Sequence, residues 1–136
     1  MYNIVPRLYL SNFYEAKTAP NGWYIINCSK DLPMVSTYGM RLAINDDMSP
    51  EAFRTMYKAL PMIIDRIDNI RNSGGDVLVH CHAGQQRSAA VVAAYLMSKG
   101  MPKDEAIRYV KSKKSDAFFW NVNFDPVLTR YSASLA

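Results

Sequence analysis

A chain of 136 residues that is 49% apolar and 21% charged has enough hydrophobic side chain for one domain with a real core, and too few residues for two ordinary ones. Its formal charge of +4 comes from scattered basic residues, and the one cluster, Lys111, Lys113 and Lys114, reads as a solvated helix end rather than a nucleic-acid surface. Two cysteines exclude a disulfide framework, neither lies in a zinc-like cluster, and no run of about eighteen apolar residues offers a membrane span or targeting segment.

In chain order, Asn3-Ile4-Val5 and Leu8-Tyr9-Leu10 are short strand-like runs split by Pro6-Arg7. Trp23-Tyr24-Ile25-Ile26-Asn27 is a third, entered from the turn Pro20-Asn21-Gly22 and closed by Cys28. Arg41-Leu42-Ala43-Ile44 predicts a fourth strand, followed by Asn45-Asp46-Asp47. Ser49-Pro50-Glu51 is a helix start, with Ser49 as N-cap, Pro50 at the first helical position and Glu51 near the positive end of the dipole. Apolar residues from Phe53 to Ile70 recur at helical spacing until Ser73-Gly74-Gly75, and Pro61 is expected to kink or divide that helix. Val77-Leu78-Val79-His80 is apolar without alternation, as suits a strand buried on both faces. Residues 88 to 99 predict a central helix, apolar nearly all round and ended by Gly100. A helix over about 102 to 113 buries Ala106, Ile107 and Val110, and a last one over about 123 to 134 packs Phe124, Val127, Leu128 and Tyr131. The expected fold is α/β, a mixed, mostly parallel central sheet of about five strands with helices on both faces.

The chemistry concentrates where the Val77–His80 strand runs into His80-Cys81-His82-Ala83-Gly84-Gln85-Gln86-Arg87-Ser88. Strand, tight loop and helix N-terminus in that order make a concave nest of backbone N–H groups, suited to a phosphate-sized anion. Cys81 sits at its mouth. The helix dipole, the amides of residues 82 to 87 and the Arg87 guanidinium all favour thiolate over thiol. Arg87 also supplies a planar fork that holds two phosphoryl oxygens bidentately, which a lysine could not. The implied chemistry is phosphoryl transfer to sulfur. A buried, inert Cys81 is the bland alternative, and the surrounding strand, glycine and unbroken helix argue against it.

These residues, with Ala94-Tyr95-Leu96-Met97 behind them, resemble the signature of the dual-specificity branch of the cysteine-dependent protein tyrosine phosphatases. Ile4 through Ser11 resembles that family's opening strand pair, and Ile25 through Ser29 its next strand. Glu105-Ala106 with Val110-Lys111, then Asn121-Val122-Asn123-Phe124 with Leu128, resemble its last two helices. Trp120 and Val127 depart from it, standing where the family often has Pro and Gln.

The resemblance implies a metal-independent phosphomonoester hydrolase without a cofactor, acting on phosphotyrosine and phosphoserine or phosphothreonine of a protein substrate through a phosphocysteine. A carboxylic acid must then protonate the leaving oxygen, and the candidates are Asp46 and Asp47. The Ile44-Asn45-Asp46 pattern is similar to the family's strand-then-acid segment and favours Asp46, while Asp47 reads as decoration of a turn. Ser88 is expected to hydrogen-bond the Cys81 sulfur and ease its departure. His80 is expected behind the cysteine, shaping the loop. His82, Ala83, Gly84, Gln85, Gln86 and Arg87 are expected to bind phosphate through their amides, with the side chains of His82, Gln85 and Gln86 facing the substrate. Asn121 matches a residue that braces the loop, or is a helix cap. Cys28 is either an inert core residue or a redox partner of Cys81. Neither nucleic acid nor membrane insertion is expected, and a reducing, cytoplasmic compartment suits a thiolate. Phosphoinositides and RNA 5′-phosphates are rival substrates, and a phospho-residue-binding module without turnover is the rival from another class.

Overall fold

The four residues of Val77–His80 are all buried, and in a computed structural model that describes residues 1–136 they form the middle strand of the sheet. Along the chain the elements are β1 (Tyr2–Val5), β2 (Leu8–Ser11), α1 (Phe13–Ala16), β3 (Tyr24–Asn27) and β4 (Gly39–Arg41). They continue as α2 (Pro50–Asn72), β5 (Val77–His80), α3 (Arg87–Ser98), α4 (Lys103–Lys113) and α5 (Asp125–Leu135). The strand order is β1-β2-β5-β3-β4, with β1 antiparallel to β2 and every other pairing parallel. This is the mixed, mostly parallel sheet that the sequence predicts.

Alternate side chains of the strands point to opposite faces, and the two faces are unequal. Leu8, Leu10, Tyr24, Ile26, Val77 and Val79 join the main core with residues of α2, α3, α4 and α5. On the other face Ile25 and Leu78 meet Ala16 of the single-turn α1, with Tyr9, Trp23 and Val35 partly buried around them. Helices therefore lie on both faces, four long ones against one short turn.

The long helices follow their sequence signals. Ser49 Oγ accepts the Ala52 amide at 3.1 Å to cap α2, which buries Met56, Leu60, Ile63, Ile64, Ile67 and Ile70 on one stripe. Pro61 does not divide α2, which runs unbroken from Pro50 to Asn72. Its ring lies on the exposed side, where water can serve the carbonyl one turn earlier that loses its donor. In α3 every residue from Ser88 to Met97 is buried, as expected of a central helix.

The fourth strand is displaced from its expected place. Pairing with β3 involves Gly39–Arg41, in register with Ile25, Ile26 and Asn27, and Leu42-Ala43-Ile44 leaves the sheet after the Leu42 amide bonds Asn27 O. Gly39 fits because its α-carbon is pressed against β3, so that a Cβ there would stand 2.2 Å from the Ile25 carbonyl oxygen. Leu42 and Ile44 are buried for packing rather than for pairing, and the Ile44 carbonyl is left to serve Arg87.

Candidate active site

β5 delivers Cys81 to the carboxyl edge of the sheet between β2 and β3, the edge at which open parallel sheets bind ligands. The loop from Cys81 to Gln86 then turns into α3 at Arg87. Gly84 makes that turn at φ 71°, and a Cβ there would lie 2.6 Å from the Ser11 carbonyl oxygen of β2, so conformation and space both demand glycine. The loop is pinned to the segment after β2, where the Phe13 amide donates to His82 O at 2.9 Å.

Cys81 is 2% exposed, with its sulfur turned into the loop. Sγ accepts the Gly84 amide at 3.2 Å and lies 3.1 Å from Ser88 Oγ on the first turn of α3. The amides of His82, Ala83, Gln85 and Gln86 donate to no acceptor in the protein, so the nest is built of unspent donors. Arg87 donates from Nη1 to the Ile44 carbonyl at 3.1 Å, while its buried Nε has no partner. A buried donor without an acceptor is costly in a folded protein, and beside a nest of free amides it marks a place for an oxyanion.

His80, fully buried, lies behind the cysteine with Nδ1 3.1 Å from the Cys81 carbonyl. Burial pushes its pKa down, against the hydrogen bond to that carbonyl and helped by the charges of Arg41 and Arg87, so the ring is neutral. A carbonyl only accepts, which puts the proton on Nδ1 and leaves the buried Nε2 bare.

The two candidate acids separate clearly. Asp47 Oδ1 accepts the Ser49 amide at 3.0 Å, and hydrogen bonds from Ser49 hold its carboxyl below the ordinary range. That carboxylate belongs to the start of α2. Asp46 Oδ1 accepts only from Asn123 Nδ2, at 2.9 Å, on an exposed loop that Arg87 ties to the nest through Ile44.

Three side chains depart from their expected roles. Gln86 does not face the substrate: it is 9% exposed, its Nε2 donates to Asn121 O at 2.8 Å and its Oε1 accepts the Asn123 amide at 2.9 Å. Gln85 also turns aside, toward Asp116 Oδ2 at 3.3 Å. Both fill the space between the loop and the α4–α5 connection instead of projecting into the cleft. Asn121 has an exposed side chain, and what ties it to the loop is its backbone carbonyl. His82 and Ala83 are exposed.

Two residues that sequence reasoning missed also support the site. Asn123 bonds Asp46 directly, and nothing in Asn121-Val122-Asn123 distinguishes the two asparagines in advance. Lys114, expected on a solvated helix end, is instead 2% exposed, donating to Ala83 O at 3.3 Å and paired with Asp116. Burial pushes the Asp116 carboxyl up, but the hydrogen bond and charge of Lys114 outweigh it and hold the pKa low. The signal was present: Ala106, Val110 and Lys114 stand four apart, and the first two are the buried stripe of α4.

Cys28 is fully buried at the end of β3, its amide donating to His80 O at 2.7 Å. Burial, then the neighbouring Cys81, raise its pKa well above the ordinary thiol value, partly offset by Arg87. Since Asn27 pairs with His80, the next residues along the two parallel strands are Cys28 and Cys81.

Residues 8–134 match the family described as dual specificity phosphatase, catalytic domain. Dual specificity protein phosphatase 1-A of Xenopus laevis is 36% identical over 130 residues, covering 82% of this chain and 32% of that protein. The 123R protein of Invertebrate iridescent virus 6 is 34% identical over 131 residues, covering 94% and 89%. The chain thus spans about a third of the Xenopus protein and nearly the whole of the viral one. The crystal structure of human DUSP28 superposes with a TM-score of 0.86 at 26% identity, over 99% of this chain and 97% of that one. The human tyrosine phosphatase-like serine/threonine/tyrosine-interacting protein superposes with a TM-score of 0.81 at 29% identity, over 100% and 98%. A cysteine on a nest of free amides, an arginine closing it and a family match over nearly the whole length agree: the chain belongs to the dual-specificity phosphatase catalytic domains.

Proposed function

We propose that the protein hydrolyses phosphomonoesters of tyrosine and of serine or threonine in proteins, without metal, as a single catalytic domain spanning residues 1–136. The observation that carries this reading is the sulfur of Cys81 set among unspent donors, with Ser88 Oγ 3.1 Å away and the unpartnered Arg87 Nε beside the nest. The thiolate attacks phosphorus as the bond to the leaving oxygen breaks, while the loop amides and Arg87 stabilise the three equatorial oxygens. Asp46 gives its proton to the leaving oxygen. Water then attacks the phosphocysteine, Asp46 takes its proton, and Ser88 donates a hydrogen bond to the departing sulfur. Asn123 positions the Asp46 carboxyl, and Lys114 with Asp116 holds the loop carbonyl of Ala83.

We also infer that Cys28 is a resolving partner for Cys81, supported by their neighbouring places on β3 and β5. No helix is long and apolar enough to cross a membrane, and we place the protein in a reducing, cytoplasmic compartment, where a catalytic thiolate survives.

A panel of phosphotyrosine and phosphothreonine peptides, phosphoinositides and 5′-triphosphate RNA, with Cys81→Ser as blank, tests the substrate class. Turnover of both peptide types above the other substrates is expected, whereas turnover confined to lipid or RNA replaces this reading. Stoichiometric phosphopeptide binding without turnover would make the protein a binding module.

A further inference from the structure

The α4–α5 connection is hydrogen-bonded to both the phosphate loop and the loop of Asp46. At one end the Phe118 amide donates to Gln85 O at 2.7 Å, and at the other Asn123 reaches Asp46 at 2.9 Å, with Asn121 O held by Gln86 between them. The connection thus runs from the phosphate nest to the acid. Phe118 is 2% exposed yet has φ 55°, a left-handed conformation that a bulky side chain adopts only under constraint. That turn sends the next two side chains outward, leaving Phe119 56% and Trp120 88% exposed. Their rings pack edge to face at 4.9 Å and present one continuous apolar surface.

Resting on the phosphatase reading above, we propose that Phe119 and Trp120 are a docking platform for an apolar side chain flanking the phosphorylated residue of a protein substrate. A phosphoryl group in the nest, with its leaving oxygen toward Asp46, would set the flanking residues of the substrate beside the connection that joins the two. The platform selects for neutral partners, because residues 117–124 contain no ionisable side chain in a chain that is 21% charged. Stacking of a nucleobase is disfavoured by the same count: neither this segment nor residues 82–86 supplies a Lys or Arg for further backbone phosphates, and the nearby Lys114 is buried and paired with Asp116.

The test compares kcat/KM for phosphopeptides with Phe or Leu beside the phosphorylated residue against matched peptides with Asp or Gly there, each normalised to an activated aryl phosphate. Wild type is expected to prefer the apolar peptides by about 10-fold, as partial burial of one large side chain allows, mainly through KM, and Trp120→Ala should remove most of that preference. In the Cys81→Ser protein the apolar peptide should shift tryptophan emission to the blue, and Trp120→Phe in that background should abolish the shift. No preference in wild type, or one that survives Trp120→Ala, overturns the platform while leaving the phosphatase reading intact. A preference for 5′-phosphorylated oligonucleotides that falls with Trp120→Ala, or a dimer that buries Trp120, also overturns it. Absence of turnover even of the aryl phosphate instead overturns the phosphatase reading.

Discussion

The two adjacent carboxylates show how a single hydrogen bond assigns a role. Asp47 is engaged by Ser49 at the start of α2, whose hydrogen bonds hold its carboxyl below the ordinary range, whereas Asp46 meets only the side-chain amide of Asn123. General acid catalysis is worth about 10²–10⁴-fold and matters most for poor leaving groups. Asp46→Asn should therefore slow phosphothreonine peptides by that factor and an activated aryl phosphate far less, with Asp47→Asn leaving both rates near wild type. If the effects exchange, the acid is Asp47. Arg87 gives a second prediction at this scale. One nitrogen is anchored on Ile44 and another is free in the interior, a division that only a planar fork provides. Arg87→Lys should lose about 10²–10³-fold in kcat, nearly as much as Arg87→Ala, because the directed donors vanish although the charge stays. A lysine variant with most of its activity would show that charge alone suffices.

Elements differ in how openly their sequence states their fate. β5 and α3 were legible because continuous apolar residues have nowhere to go but the interior, and α2 because its cap and its stripe agree. Leu42 and Ile44 look like a strand in sequence, whereas β4 pairing is governed by Gly39, whose missing side chain lets two backbones approach. Lys114 reads as solvated because a charge near a helix end suggests water, and its half-exposed partner Asp116 lies beyond the helix. His80, closing β5, makes stability depend on pH. Burial lowers its pKa, so the unfolded chain takes up a proton that the folded chain refuses. Its contribution is present above the unfolded value of about 6.5 and is lost as pH falls toward the lower folded value. The urea midpoint should drop between about pH 7.5 and 5.5, and by less in His80→Gln. Equal drops in both proteins would remove His80 from that dependence. The ends of β3 and β5 carry a fourth expectation. Neighbouring strands lie about 4.8 Å apart, which puts Cys28 within reach of an oxidised Cys81. Mild peroxide should give a dithiothreitol-reversible Cys28–Cys81 bond, with faster over-oxidation of Cys81 in Cys28→Ser. Equal rates in the two proteins would make Cys28 only a core residue.

At the scale of the whole molecule, one crowded face and one thin face leave the carboxyl edge of the sheet open, and three loops converge there. The loop after β5 brings Cys81, the segment after β4 brings Asp46, and the α4–α5 connection brings Asn121 and Asn123, which bond Gln86 and Asp46. Only the first carries its full chemistry in consecutive residues, which is why Cys81, Arg87 and Ser88 could be read from sequence while Asn123 and Lys114 needed folding to bring them near. The most direct test of a phosphocysteine enzyme slows the second half of its cycle. Ser88→Ala removes the hydroxyl 3.1 Å from the sulfur and should retard its departure more than its attack. Rapid acid quench of that variant with an aryl phosphate, followed by peptide mass spectrometry, should find a phosphoryl group on the Cys81 peptide and none in Cys81→Ser. Turnover without any adduct on Cys81, or turnover that persists in Cys81→Ser, would contradict the mechanism.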